Sequence, residues 1–143
     1  MSFDLKIDKG NIAIGQDGDL DRIENTEKLI QDVLKILMTP LGSNVFFPWY
    51  GSPLTDVSVG QVLDRKFVVS MIESVIRGNL ETLQKLQKQQ AASGQRVSAG
   101  ELLAAIQSIR INRNIVDPTY WTIITRILSK GLKSSDAVLD ITL

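Results

Sequence analysis

The chain has 143 residues, 43% hydrophobic and 22% charged, a balance that supports one folded core in one domain spanning 1–143 and argues against disorder over most of its length. Sixteen basic and sixteen acidic residues cancel, which removes the electrostatic drive toward nucleic acid or a membrane surface as the main partner. Cysteine and histidine are absent, so disulfides, thiol nucleophiles, the usual zinc, haem and iron–sulfur ligands and the commonest neutral-pH general base all fall away; no cofactor, metal or small-molecule substrate is expected.

Phe3, Leu5 and Ile7 alternate with Asp4, Lys6 and Asp8, and Ile12 and Ile14 resume the alternation after Lys9-Gly10-Asn11. Period two interrupted by a turn predicts a β-hairpin. A second turn follows at 15–19, with a third short strand expected at Leu20 to Ile23. Asn25 or Thr26 is suited to cap a helix, and Leu29, Ile30, Val33, Leu34 and Leu37 then recur at helical spacing until Pro40 and Gly42 stop it. Residues 43–54 hold two prolines, one glycine and half of the eight aromatics, Phe46 to Tyr50, which predicts an irregular loop. Phe46 and Phe47 are expected to fold onto the core, whereas Trp49 and Tyr50 suit either the core or a partner. The run from Ile36 to Thr55 is uncharged, but its prolines and glycines forbid a spanning helix; with no secretory pattern at the first residues, a soluble chain is expected.

A long helix is predicted from about Val59 to Ala92, its apolar side carried by Val62, Leu63, Phe67, Val68, Met71, Ile72, Val75, Ile76, Leu80, Leu83 and Leu86. Glu73 with Arg77 and Glu81 with Lys85 are i,i+4 pairs in the favoured order. Gly78-Asn79 is a candidate bend, and Gln84, Gln87, Gln89 and Gln90 make the distal part polar enough to protrude or to pack on a partner. The last third reads as strands: 106–115, then Tyr120 to Leu128, then Ala137 to Leu143, where Ala137, Leu139, Ile141 and Leu143 alternate with Val138, Asp140 and Thr142. The final strand fits an internal edge strand or one completed by another chain's backbone. Its removal, at 136–143, is expected to leave the body folded. The expected fold is α+β: N-terminal β-hairpin, amphipathic helix, long helix, and a C-terminal antiparallel β-sheet with an exposed edge strand.

Catalytic and ligand motifs are weak. Asp17, Asp19 and Asp21 begin a calcium-loop pattern, but Arg22 and Lys28 occupy the places that need Gly and Glu. Glu73, Glu81 and Glu101 are the candidate carboxylates for glycoside cleavage, and i,i+4 cations account for two of them. Arg110, Arg113, Arg126, Lys130 and Lys133 beside Tyr120 and Trp121 fit nucleic-acid binding less well than sheet packing in a neutral chain.

One stretch is more specific. The run from Gln31 through Thr39, Pro40, Gly42, Pro48 and Tyr50-Gly51-Ser52 to Leu54 resembles the baseplate wedge, or sheath-initiator, family of contractile phage tails and related injection machines. The Asn11-Ile12-Ala13-Ile14 and Gly18-Asp19-Leu20 segments fit the same family, and the order of helices and strands agrees over nearly the whole chain. The family's Glu-Pro-Arg signature between long helix and sheet is matched here only by Arg110, within Ser108-Ile109-Arg110. The resemblance implies a structural subunit of the virion baseplate, made in the host cytoplasm. Its implied partners are other wedge proteins, the tail sheath protein, and central hub or tube proteins. It implies that the long helix and Arg110 meet the wedge, and that residues 119–128 and 136–143, with Tyr120, Trp121, Leu139, Ile141 and Leu143, offer edges to which the first sheath ring adds strands; Trp49 and Tyr50 remain candidate partner residues in the aromatic loop. No enzymatic activity is expected; the alternative is a baseplate-borne, lysozyme-like peptidoglycan hydrolase, since some members of the family carry such names.

Overall fold

A computed structural model describes residues 2–56 and 64–143. Four two-residue strands open the chain: β1 (Asp4–Leu5), β2 (Ile7–Asp8), β3 (Asn11–Ile12) and β4 (Arg22–Ile23). β2 and β3 pair antiparallel across Lys9-Gly10, both with positive φ, which is the mirror-image turn that matches strand twist. β1 pairs with β4, and a single bridge joins Ile14 to Leu20.

Helix α1 (Asn25–Met38) buries Leu29, Val33, Ile36 and Leu37 along one stripe. Neither Asn25 nor Thr26 caps it. Glu24 is the N-cap residue, without a side-chain cap bond, and Asn25 sits at φ +53 and accepts a hydrogen bond from the Ser98 hydroxyl at 2.7 Å. A left-handed Asn pointed at another segment cannot also close its own helix. At the other end Thr39 donates both its N–H and its hydroxyl to the Lys35 carbonyl, and Pro40 ends the ladder.

Helix α2 (Arg65–Ala92) runs unbroken through Gly78 for about 42 Å at the usual rise. Its buried line is Val68, Ile72, Ile76, Leu80, Leu83 and Gln87. The part of the expected helix at 59–63, with Val62 and Leu63, lies outside the described residues, and Asp64 is the extended N-cap residue. The distal part does not protrude: Gln87 is buried, and Gln84 donates to the Ala104 carbonyl at 3.0 Å. Glutamine side chains are long enough to bury their stems and still satisfy backbone groups, so a polar stripe need not face solvent.

The C-terminal sheet has the order β5 (Leu103–Arg113), β6 (Tyr120–Ser129), β7 (Ser134–Thr142), all antiparallel. Trp121, Ile123, Thr125, Ile127 and Ser129 of β6, with Ala137 and Leu139 of β7, face both helices and form the core with them. At roughly 1.5–3 kcal/mol per fully buried large apolar side chain, this two-layer contact dominates stability. Because Ala137 and Leu139 belong to it, removing 136–143 would expose the helix layer; the expectation of a body that folds without this strand is corrected. The fold class is the α+β one expected from the sequence.

Candidate functional site

The sheet's second face carries no covering element among the described residues. Directly opposed residues share a face, so the register sets rows across it: Ser108–Arg126–Asp136, Arg110–Ile124–Val138 and Asn112–Thr122–Asp140, with Tyr120 and Thr142 beyond. Arg126 holds Asp136 through two hydrogen bonds, 2.9 and 3.2 Å. That contact keeps Asp136 below the usual carboxylate range, and Arg110 adds to the effect. Thr122 donates to Asp140 at 2.8 Å, and the same carboxylate raises the Tyr120 phenol.

Each outer strand has one side without a β-partner. β5 is protected. Its register slips at Ala104 and at Gln107, and its start is capped by helix α2: Leu103 donates its N–H to the Gln87 side-chain carbonyl, and Gln87 donates to the Glu101 carbonyl. Bulges and a covering helix are the devices by which proteins blunt strand edges.

Among the described residues β7 has no bulge, and helix α1 packs against its inner face beside the edge. The nine-residue register of β7 with β6 is unbroken. Leu143 donates to Thr119 and Ser129 to Lys133, which marks Leu143, Ile141, Leu139, Ala137 and Ser135 as the residues whose backbone meets β6. The backbone groups of Asp136, Val138, Asp140 and Thr142 therefore point away from the sheet, and among the described residues none of them takes a hydrogen bond. A recess of about 250 Å³ lies on that side, lined by Leu37, Met38, Leu54, Leu139, Ile141, Asp140 and Thr142. No β6 residue lines it, so it adjoins the open edge rather than the sheet interior.

The residues expected to meet partners fall into three groups. Arg110 and Tyr120 lie on the uncovered face. Trp121 and Leu139 are buried on the core face, Trp121 under the Arg113 guanidinium at 5.4 Å, and Ile141 and Leu143 pack against that core. Trp49 and Tyr50 lie in the aromatic loop, far in sequence from the sheet; Trp49 is half-exposed, and burial pushes up the Tyr50 phenol. Phe46 and Phe47, expected in the core, are 87% and 53% exposed. The Asn44 side chain accepts from both their N–H groups and turns the loop outward. The Tyr50-Gly51-Ser52 run has a local structural role. Gly51, at φ +124, has carbonyl oxygens of Thr39 and Pro40 where a Cβ would stand, and Ser52, fully buried, donates to Thr39 and accepts from Leu41.

Of the three candidate carboxylates, Glu73 pairs with Arg77 at 3.1 Å. Glu81 forms no ion pair with Lys85 among the described contacts. Glu101 is 1% exposed; Ser2 bonds one carboxylate oxygen, and among the described residues the other has no partner. Spacing gave no sign of that burial.

No protein-family profile and no curated protein matches the chain. A solved structure from Geobacter sulfurreducens, described as a putative tail lysozyme, shares the fold: TM-score 0.61 at 14% identity, covering 82% of this chain and 89% of that one. The chain thus has a fold that occurs in a tail-associated protein. The expectation that the chain lacks enzymatic activity is corrected by this likeness, because a protein of the same fold is described as an enzyme.

Proposed function

We propose that the chain is a subunit of a contractile phage tail baseplate that joins the wedge to the first sheath ring and starts sheath assembly by pairing strands. The observation that carries this reading is the open, unbulged edge of β7 beside an apolar recess, in a sheet whose other edge is protected. The motif run from Gln31 to Leu54 and the tail-protein fold support the same setting. In this reading a sheath strand bonds to the backbone of Asp136, Val138, Asp140 and Thr142. Trp121, Leu139, Ile141 and Leu143 then serve by holding β6 and β7 in place, and Tyr120 flanks the junction. Arg110, on the uncovered face, and the exposed aromatic loop with Trp49 and Tyr50 are the surfaces for wedge, hub or tube proteins. The test is seeding: purified chain added to the cognate sheath protein should shorten the lag of sheath polymerisation. An unchanged lag overturns the reading.

The fold's occurrence in a protein described as a tail lysozyme favours a second reading, cleavage of peptidoglycan. Glu101 is the carboxyl to examine, since of the three candidates it is the buried one, with one oxygen unpartnered among the described residues. Release of sugar fragments from purified cell walls, lost in Glu101→Gln, supports it; no release by the intact chain retires it.

A further inference from the structure

The open edge of β7 also carries a specificity rule, and this step rests on the strand-pairing reading above. We propose that β7 selects an extended segment of a different protein that sets a basic side chain opposite Asp140 and apolar side chains into the recess beside Leu139 and Ile141.

Three observations lead there. First, the outward backbone groups belong to Asp136, Val138, Asp140 and Thr142, whose side chains all stand on the uncovered face. A strand joined to this edge lays alternate side chains beside them, within cross-strand reach. Second, the two acids are not equivalent. Asp136 is already held by the two bonds from Arg126, whereas among the described residues Asp140 accepts from the neutral Thr122 hydroxyl and forms no ion pair. Asp140 is thus the uncompensated charge on the edge, and the neighbouring Val138, 51% exposed, asks for an apolar or β-branched companion. Third, the intervening residues of the incoming strand point toward the helix layer, where the recess is walled by Leu37, Met38, Leu54, Leu139 and Ile141.

The same charges disfavour a second copy of this chain. Antiparallel pairing of two β7 edges centred on Val138 would set Asp136 of one copy against Asp140 of the other at both ends of the contact. Like charges directly opposed destabilise a strand pair. In that register a second copy brings Asp140 no free cation, since the Asp136 it meets already holds Arg126; a basic stranger supplies one.

Two capped peptides test this by NMR titration of the full chain: Thr-Val-Lys-Val-Thr-Val-Thr and its twin with Glu for Lys. The Lys peptide should shift the amides of Asp136, Val138, Asp140 and Thr142 and bind at least about threefold tighter than the Glu twin. In Asp140→Lys, which leaves every core contact intact, the preference should reverse. Equal affinities with the β7 amides still shifting would overturn the charge rule and leave strand pairing standing. No shift of those amides with either peptide would remove both.

Discussion

Gln87 and Leu103 are joined as two strands would be: the Leu103 N–H reaches the Gln87 side-chain oxygen at 2.8 Å while the Gln87 amide nitrogen donates to the Glu101 carbonyl at 2.9 Å. Gln31 does the same at the other end of the chain, accepting from the Ile7 N–H and donating to the Leu5 carbonyl, both at 2.9 Å. Each glutamine sits on a helix and substitutes for a missing strand, so the helices hold the strand segments by backbone recognition as well as by apolar contact.

Gln87→Leu keeps the volume and removes both bonds, stranding a buried N–H and a carbonyl. Stability should fall by about 1–3 kcal/mol, read as a lower urea midpoint at unchanged slope. A neutral result would mean that water reaches this strand start.

Gly51→Ala should be among the most damaging small substitutions in the chain. The added Cβ would lie 2.6 Å from the Thr39 carbonyl oxygen at a φ that side chains avoid. The left-handed penalty alone is about 1–2 kcal/mol, and the clash adds to it. Thermal unfolding should show the loss, with the aromatic loop, followed by Trp49 fluorescence, loosening first.

The N-terminal strands should detach in acid. Burial opposes the charge of Asp4, but the Lys35 ammonium, at 2.5 Å, outweighs it and holds the carboxyl below its usual value; Lys35 is correspondingly raised despite its own burial. Because the folded pKa of Asp4 is depressed, its contribution is present above the unfolded value, near 4, and is lost as pH falls through the folded value. Amide exchange at Leu5 and Ile7 should therefore accelerate below about pH 4 before the sheet opens. Asp4→Asn should abolish that acid step.

Helices and strands were legible because periodicity reports burial. The alternation of Ala137, Leu139 and Ile141 against Val138 and Asp140 matches the observed faces of β7, and the β6 boundaries differ from expectation by one residue. What escaped the sequence were choices made by tertiary partners. Asn25 looks like a cap until Ser98 engages it. Gln84 and Gln87 look solvated until β5 arrives beside them. Phe46 looks like core until Asn44 turns its loop outward. The open edge itself was half legible. Alternation identifies a strand at 137–143, but the bulges that protect β5 and leave β7 bare depend on pairing register, which composition does not encode.

Val138 and Leu139 separate the fold from the edge. The Val138 N–H points outward, so Val138→Pro removes no bond of the β6–β7 ladder, and proline is tolerated on edge strands with that orientation. Its cost should stay near 1 kcal/mol, within the range of an ordinary surface change plus some φ adjustment. Leu139→Pro removes a ladder donor and a buried side chain together, for about 3 kcal/mol or more. Far-ultraviolet circular dichroism and urea melts should therefore show a folded Val138→Pro chain and a largely unfolded Leu139→Pro chain. Only the former then tests assembly: if strand pairing starts the sheath, a folded Val138→Pro protein fails to seed it, because one outward donor is gone and the ring blocks close approach. Wild-type seeding by that folded variant would show that partners reach the chain through another surface, with the exposed aromatic loop next in line.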